Sequence, residues 1–207
     1  GRPRLAVVFE TVIARDGAVG PVKISRALVR NRAKLDYPSI SAWLDGKGAA
    51  PAALEADARL QEQLHGQDAL ARTLAEARKR AGAIDVDTEE TRPVVENGVV
   101  KALVSAKQDR AGRVIEELMI ATNFAVARAL DAGGLPSLRR VVKEPERWAR
   151  IVSYAADHGG KLPAAPSSLA FSKFVEQMRQ EQPNEFGDIS LSIVKLTSSR
   201  ALSPPKR

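Results

Sequence analysis

The chain has 207 residues, 44% of them hydrophobic and 28% charged, with a formal net charge of +7, two histidines and no cysteine. That is enough apolar sequence for an ordinary core and argues against disorder, while the apolar runs are far shorter than the ~20 residues of a membrane span and no signal-peptide pattern opens the chain. Without cysteine, disulfides and thiolate metal sites are excluded, in keeping with a reducing cytoplasm, and the positive balance favours a polyanionic partner such as RNA or DNA, or an anionic membrane face.

No initiator Met stands at Gly1, so this is not expected to be a natural start. The β-rich run Leu5-Ala6-Val7-Val8-Phe9, the turn signal Asp16-Gly17 and the spacing of Val22, Ile24 and Leu28 predict two strands, about 4–13 and 19–30. Pro38 suits the first position of a helix whose face is Ile40, Trp43 and Leu44, stopped by Gly46 and Gly48. A long Ala/Leu/Glu/Arg segment, about 53–81, follows, with Gly66 a candidate kink; it reads as a helical hairpin or one amphipathic helix. The next β region is about 83–105. Asn97-Gly98 between Val94-Val95 and Val99-Val100 is a strong hairpin signal. A helix over about 109–131 has Asp109 as candidate N-cap and Gly133-Gly134 as its stop. Leu138 to Val142 reads as a short strand, followed by helices at about 144–158, 166–180 and 186–197 and an extended Pro204-Pro205 end. The expected fold class is α+β, a mixed sheet of hairpins packed against several helices. The expected layout is a strand pair over 1–36, helices over 37–82, a hairpin over 83–105, a central helix over 109–131 and a mainly helical 138–207.

Candidate chemistry is sparse. His65 and His158 have no ligand-spaced companion, so neither a zinc motif nor a Ser-His-Asp arrangement is supported. Asp85, Asp87, Glu89 and Glu90 form an acidic cluster that reads as a solvated strand entry before it reads as a cation site. Glu116 and Glu117 stand out because they interrupt an apolar helix, where such groups are costly unless paired. Adjacent helical positions point about 100° apart, so the two cannot face one ligand; Glu116 shares a face with Asn123. By spacing alone, an ion pair with Arg113 or Lys101 is favoured over a functional role. The basic residues Arg72, Arg78, Lys79, Arg80, Lys107, Arg110 and Arg113 are available for phosphate contacts, or form a solubilising face.

The order of these segments resembles a known family. Arg26-Ala27-Leu28-Val29-Arg30, Ala33-Lys34-Leu35-Asp36-Tyr37 and Trp43-Leu44, then Arg80-Ala81-Gly82-Ala83-Ile84-Asp85-Val86-Asp87, then Ile115-Glu116-Glu117-Leu118-Met119-Ile120-Ala121-Thr122-Asn123 with Ala127-Arg128, and finally Gly134-Leu135-Pro136 are similar to segments of the catalytic (RNB) domain of the ribonuclease II/R family of exoribonucleases. The resemblance implies an internal, incomplete piece of an RNB-type catalytic domain. It implies a parent that degrades single-stranded RNA processively from the 3′ end to nucleoside 5′-monophosphates, using Mg²⁺ held by an Asp cluster that lies before the equivalent of Gly1. No catalytic residue and no metal ligand is then expected in this chain, which supplies an RNA-channel wall and needs the remainder of the parent polypeptide. Tyr37 matches a channel tyrosine near the 3′ end that bears on RNA-over-DNA selection, and Glu117 a glutamate with a similar role. Val86 falls near where some members have a Phe that clamps a terminal base, and valine has no ring to stack. Gly112 and Arg139 stand where members often have His and Tyr, the mark of a diverged branch. A non-catalytic RNA-binding or regulatory module with the same shell is the alternative, and a helical scaffold that binds proteins through 53–81 a third. Neither membrane association nor an oligomeric state is implied.

Overall fold

The computed structural model describes residues 1–84, 90–96, 98–106, 109–138, 145 and 147–197. The chain divides into two compact units, Gly1–Ala77 with Gln108–Leu138, and Arg78–Lys107 with Arg139–Arg207.

The first unit opens with an antiparallel ribbon of β1 (Pro3–Ile13) and β2 (Val19–Arg30), in register from Pro3 opposite Arg30 to Ile13 opposite Val19, with a bulge between Thr11 and Ile13. Its turn is closed by the Ala14 amide on the Ala18 carbonyl, 2.9 Å, and by the Ala18 amide on Asp16 Oδ1, 3.0 Å. Gly17 is buried there at φ 87°, and a Cβ on it would stand 2.9 Å from the Thr73 carbonyl oxygen and 2.6 Å from Ala77 Cβ. Only glycine serves both the left-handed backbone and that close approach.

Helix α1 (Tyr37–Leu44) starts where the Asp36 carboxylate accepts from the Ser39 amide at 3.0 Å, with Pro38 in the first turn. The expected 53–81 segment is two elements, α2 (Ala52–Glu55) and α3 (Ala58–Arg80). The break has a local cause. Asp57 accepts from the Arg59 and Leu60 amides, 3.1 Å each, and so caps a new helix. α3 runs unbroken through Gly66. Helix α4 (Arg110–Ala132) is capped by Asp109, whose carboxylate accepts from the Gly112 amide at 2.6 Å. It ends at Gly133 and Gly134, with the Leu135 amide reaching back to the Leu130 carbonyl at 2.8 Å. Ile40, Leu44, Leu54 and Ala111 form the core of this unit, with Leu35, Trp43, Leu60 and Leu64 packed on it.

The second unit holds the antiparallel hairpin β3 (Glu90–Glu96) and β4 (Val99–Ala106), turned at Gly98 with φ 78°. Among the described residues each hairpin is a two-stranded antiparallel sheet. Helices α5 (Trp148–Asp157), α6 (Ser168–Glu181) and α7 (Phe186–Thr197) bury Ile151, Phe171, Phe174, Met178, Ile189 and Ile193 together. The Trp148 indole donates to the Pro163 carbonyl at 2.9 Å. The β region before Glu90, the expected strand after Leu138 and the Pro204-Pro205 end fall largely or wholly outside the described residues. Among the described residues no helix is long and apolar enough to cross a membrane.

Two glycines give opposite expectations. Gly17→Ala should lower unfolding stability by about 2–4 kcal/mol, from left-handed strain plus the clash. Gly66→Ala, with nothing within 4 Å of its Cβ and a helical backbone around it, should raise stability by up to about 1 kcal/mol. Urea unfolding of both variants checks the pair; equal midpoints would contradict the packing described.

Candidate functional site

The two site residues that the sequence singles out within the described region lie on α1 and α4, which pack on each other. An ion pair ties these helices to α3, beside the packing of Leu60 and Leu64 on their shared core. Arg110, the first residue of α4, donates Nε to Asp68 Oδ1 and Nη2 to Asp68 Oδ2, both at 2.8 Å, a bidentate fork on a buried carboxylate. Its Nη1 reaches the Leu44 carbonyl oxygen at 2.6 Å and Asp45 Oδ1 at 3.1 Å, at the end of α1. Arg72, one turn along α3, also donates to Asp68. A second tie joins α1 to α4, where the Ala111 amide donates to the buried Ser41 hydroxyl at 3.0 Å.

The electrostatics follow from that geometry. The hydrogen bond from Arg110 holds the Asp68 carboxyl below the usual aspartate range; burial opposes this, and Arg72 adds to it. The same bond to Asp68 raises Arg110 further above the ordinary arginine value. At the start of α1, the Ser39 amide lowers Asp36.

Tyr37 is the first residue of α1 and about half exposed, at 52%. Glu117 is 5% exposed and lies on the packed arc of α4 with Val114, Ala121 and Ala125. It is buried but not isolated, since it takes part in an interaction within the fold. Glu116 and Asn123 lie on the exposed arc, so the two glutamates face apart as their spacing requires. Ile115, Met119 and Phe124 are exposed too, so α4 is buried on one side only. Arg128, near its C-terminal end, donates to the Val19 carbonyl at 3.1 Å and lies 5.7 Å over the Phe124 ring.

Val86, with Asp85, Asp87, Glu89, Lys107 and Arg139, lies outside the described residues. Among the basic residues considered for phosphate contact, Arg72 and Arg110 are committed to Asp68. Arg78, Lys79 and Arg80 form the last turn of α3, where cations offset the helix dipole. Lys79 and Arg80 also border a cavity of about 500 Å³ with Ala83, Leu169, Lys173 and Glu176. Both histidines lie against an aromatic ring: His65 is exposed with its ring centroid 4.5 Å from that of Trp43, and His158 lies 4.3 Å from the Tyr154 ring with Nδ1 2.8 Å from the Tyr154 carbonyl oxygen.

Sequence reasoning missed the Asp68–Arg110 clamp. Its signal was an acid at position 68 in the stripe of Leu64, Ala71 and Leu74, where a charge requires a partner. The fit to Mg²⁺ can be tested on the donors. Among the described residues no group of three or more His, Asp or Glu side chains is placed to hold a metal ion. Asp68 is engaged by two guanidiniums, and Glu117 has apolar neighbours along its arc. The described residues therefore do not fit a Mg²⁺ site.

Comparison with known proteins defines the class. The RNB domain model matches residues 1–206, and the chain belongs to the RNB domain family. It is 31% identical over 148 residues to the Ribonuclease R of Thermotoga maritima, covering 70% of this chain and 20% of that protein. It is 28% identical over 208 residues to that of Aquifex aeolicus, covering 98% of this chain and 28% of that protein. In fold it is similar to Mycoplasma genitalium RNase R solved in complex with ribose-methylated single-stranded RNA, with a TM-score of 0.84 and 18% identity over 96% of this chain and 31% of that one. The chain thus spans between a fifth and a third of the length of these relatives.

The clamp makes a pH prediction with a definite sign. Because the Asp68 pKa is lowered by folding, its contribution is present above the ordinary value of 3.8 and is lost as pH falls through the lowered one. Asp68→Asn should cost about 2–4 kcal/mol at neutral pH. The gap between variant and wild type should narrow as the pH drops below 3.8, read from unfolding curves across pH. A gap that stays constant with pH would remove the ionic account.

Proposed function

We propose that the chain is part of a 3′-to-5′ exoribonuclease that hydrolyses single-stranded RNA processively to nucleoside 5′-monophosphates in the cytoplasm, and that it supplies one wall of the RNA path. The observation that carries this reading is the RNB match over residues 1–206. The relatives named Ribonuclease R and the RNA in the Mycoplasma genitalium complexes support RNA as the partner.

The division of labour follows the family resemblance. Phosphodiester hydrolysis of this kind uses divalent ions, which activate a water and stabilise the leaving oxygen when bound. The family resemblance puts their ligands in an Asp cluster before the equivalent of Gly1, so that half of the chemistry is assigned to the remainder of the parent. What this chain contributes is recognition. Tyr37 offers an exposed ring for contact with a sugar or base, and Glu117 offers a carboxylate that can accept from a ribose 2′-hydroxyl. Val86 is assigned to the vicinity of the terminal base, where it has no ring with which to clamp it.

Two assays test the proposal. The parent should shorten a 5′-labelled RNA from its 3′ end without intermediates of fixed length, and residues 1–207 alone should release no nucleotide from the same RNA in Mg²⁺. Hydrolysis by residues 1–207 alone would contradict the division of labour. Cleavage by the parent at internal positions would contradict the polarity.

A further inference from the structure

Two consecutive residues of α4 meet α1 at two points. The Ala111 amide donates to the Ser41 hydroxyl at 3.0 Å, and Arg110 Nη1 donates to the Leu44 carbonyl oxygen at 2.6 Å. The first amides of a helix have no partner within it, so Ser41 supplies from a neighbouring helix what a cap or a water would otherwise supply. Ser41 and Ala111 are both buried, which shields their bond from water. The core that contains Ala111 is otherwise Ile40, Leu44 and Leu54, none of which has a polar side chain to take the place of Ser41. A single contact leaves two helices free to rotate about it. Two contacts, three residues apart on α1, fix the angle between them.

Tyr37 lies one turn before Ser41 on α1, and Glu117 lies six residues after Ala111 on the packed arc of α4. At about 1.5 Å per residue, these groups stand about 6 Å and about 9 Å from the tie along their helices. We propose that Ser41 is a positioning residue for sugar selection. Its hydroxyl fixes where the Glu117 carboxylate and the Tyr37 ring stand relative to each other, and thereby how strictly the 2′-hydroxyl of RNA is required. The inference rests on the reading of Tyr37 and Glu117 as contacts to RNA, and it assigns Ser41 no contact of its own with RNA. The lever is short but sufficient. A rotation of about 10° at the tie carries a group about 9 Å away by about 1.5 Å. A displacement of about 1 Å is enough to cost about a hundredfold in rate. Without Ser41, Arg110 still holds α4 to Asp68 and Leu44, so the loss is partial and shows in selectivity more than in folding.

The test uses the parent enzyme and two substrates, an RNA strand and the same strand with 2′-deoxy nucleotides at its 3′ end. Hydrolysis rates on both are measured for wild type, Ser41→Ala, Glu117→Gln and Leu54→Val. Leu54 is fully buried in the same core but lies on α2, so Leu54→Val loosens the core without touching the tie. Ser41→Ala is expected to lower the RNA-over-DNA ratio at least about threefold. Leu54→Val is expected to keep the ratio within about twofold of wild type while lowering the thermal midpoint. A ratio that falls in Glu117→Gln but not in Ser41→Ala would overturn the positioning role and leave the reading of Glu117 intact. A ratio that Glu117→Gln leaves unchanged would overturn that reading, and this inference with it. An equal fall in Ser41→Ala and Leu54→Val would also overturn the proposal, because a general loosening of the core would then be the cause.

Discussion

One guanidinium joins three helices of the first unit. Arg110 touches the carboxylate of α3, the last carbonyl of α1 and the Asp45 side chain, while its own backbone opens α4. A hydrophobic contact is tolerant of small rotations; a forked ion pair on a buried acid is not. The direction of α4 is therefore set at its N-terminus, by Asp109 capping it and Arg110 pinning it. Glu117 sits two turns further along on a helix already held. Its placement on the packed arc, and the placement of Glu116 on the exposed one, follow from that constraint.

The clamp also decides a question of charge. A basic chain invites the assumption that its arginines meet phosphate. Two of the arginines nearest to α4 instead neutralise one buried aspartate, and three basic residues at the end of α3 face a helix dipole. The net charge is a property of the surface at large, and only part of it is free to steer a polyanion. Of the two groups proposed for recognition, Tyr37 is half exposed and Glu117 nearly buried.

How much of this the sequence discloses depends on the range of the interaction. Local signals read well. Asp109 caps α4, Gly133-Gly134 ends it, and Asp16-Gly17 turns the first ribbon, because each acts within a few residues. The break between α2 and α3 falls before the candidate kink at Gly66, and its cause is equally local: Asp57 competes as an N-cap inside a run that otherwise favours helix. The clamp joins residues 42 and 65 positions apart, and no spacing rule reaches that far. The reading of Glu117 comes from the likeness to the family, since residue spacing alone favours an ion pair at that position.

The central claim is that the buried carboxylate on α4 reads the ribose. The most direct measurement is the ratio of hydrolysis rates of the parent enzyme on an RNA strand and on the same strand with 2′-deoxy nucleotides at its 3′ end, for wild type and Glu117→Gln. Glutamine keeps the size and an acceptor but removes the charge, so folding should be little changed. The account predicts that the RNA-over-DNA ratio falls at least tenfold while unfolding stability stays within about 1 kcal/mol of wild type. An unchanged ratio together with a stability loss of several kcal/mol would contradict it and leave Glu117 as a structural partner in the fold.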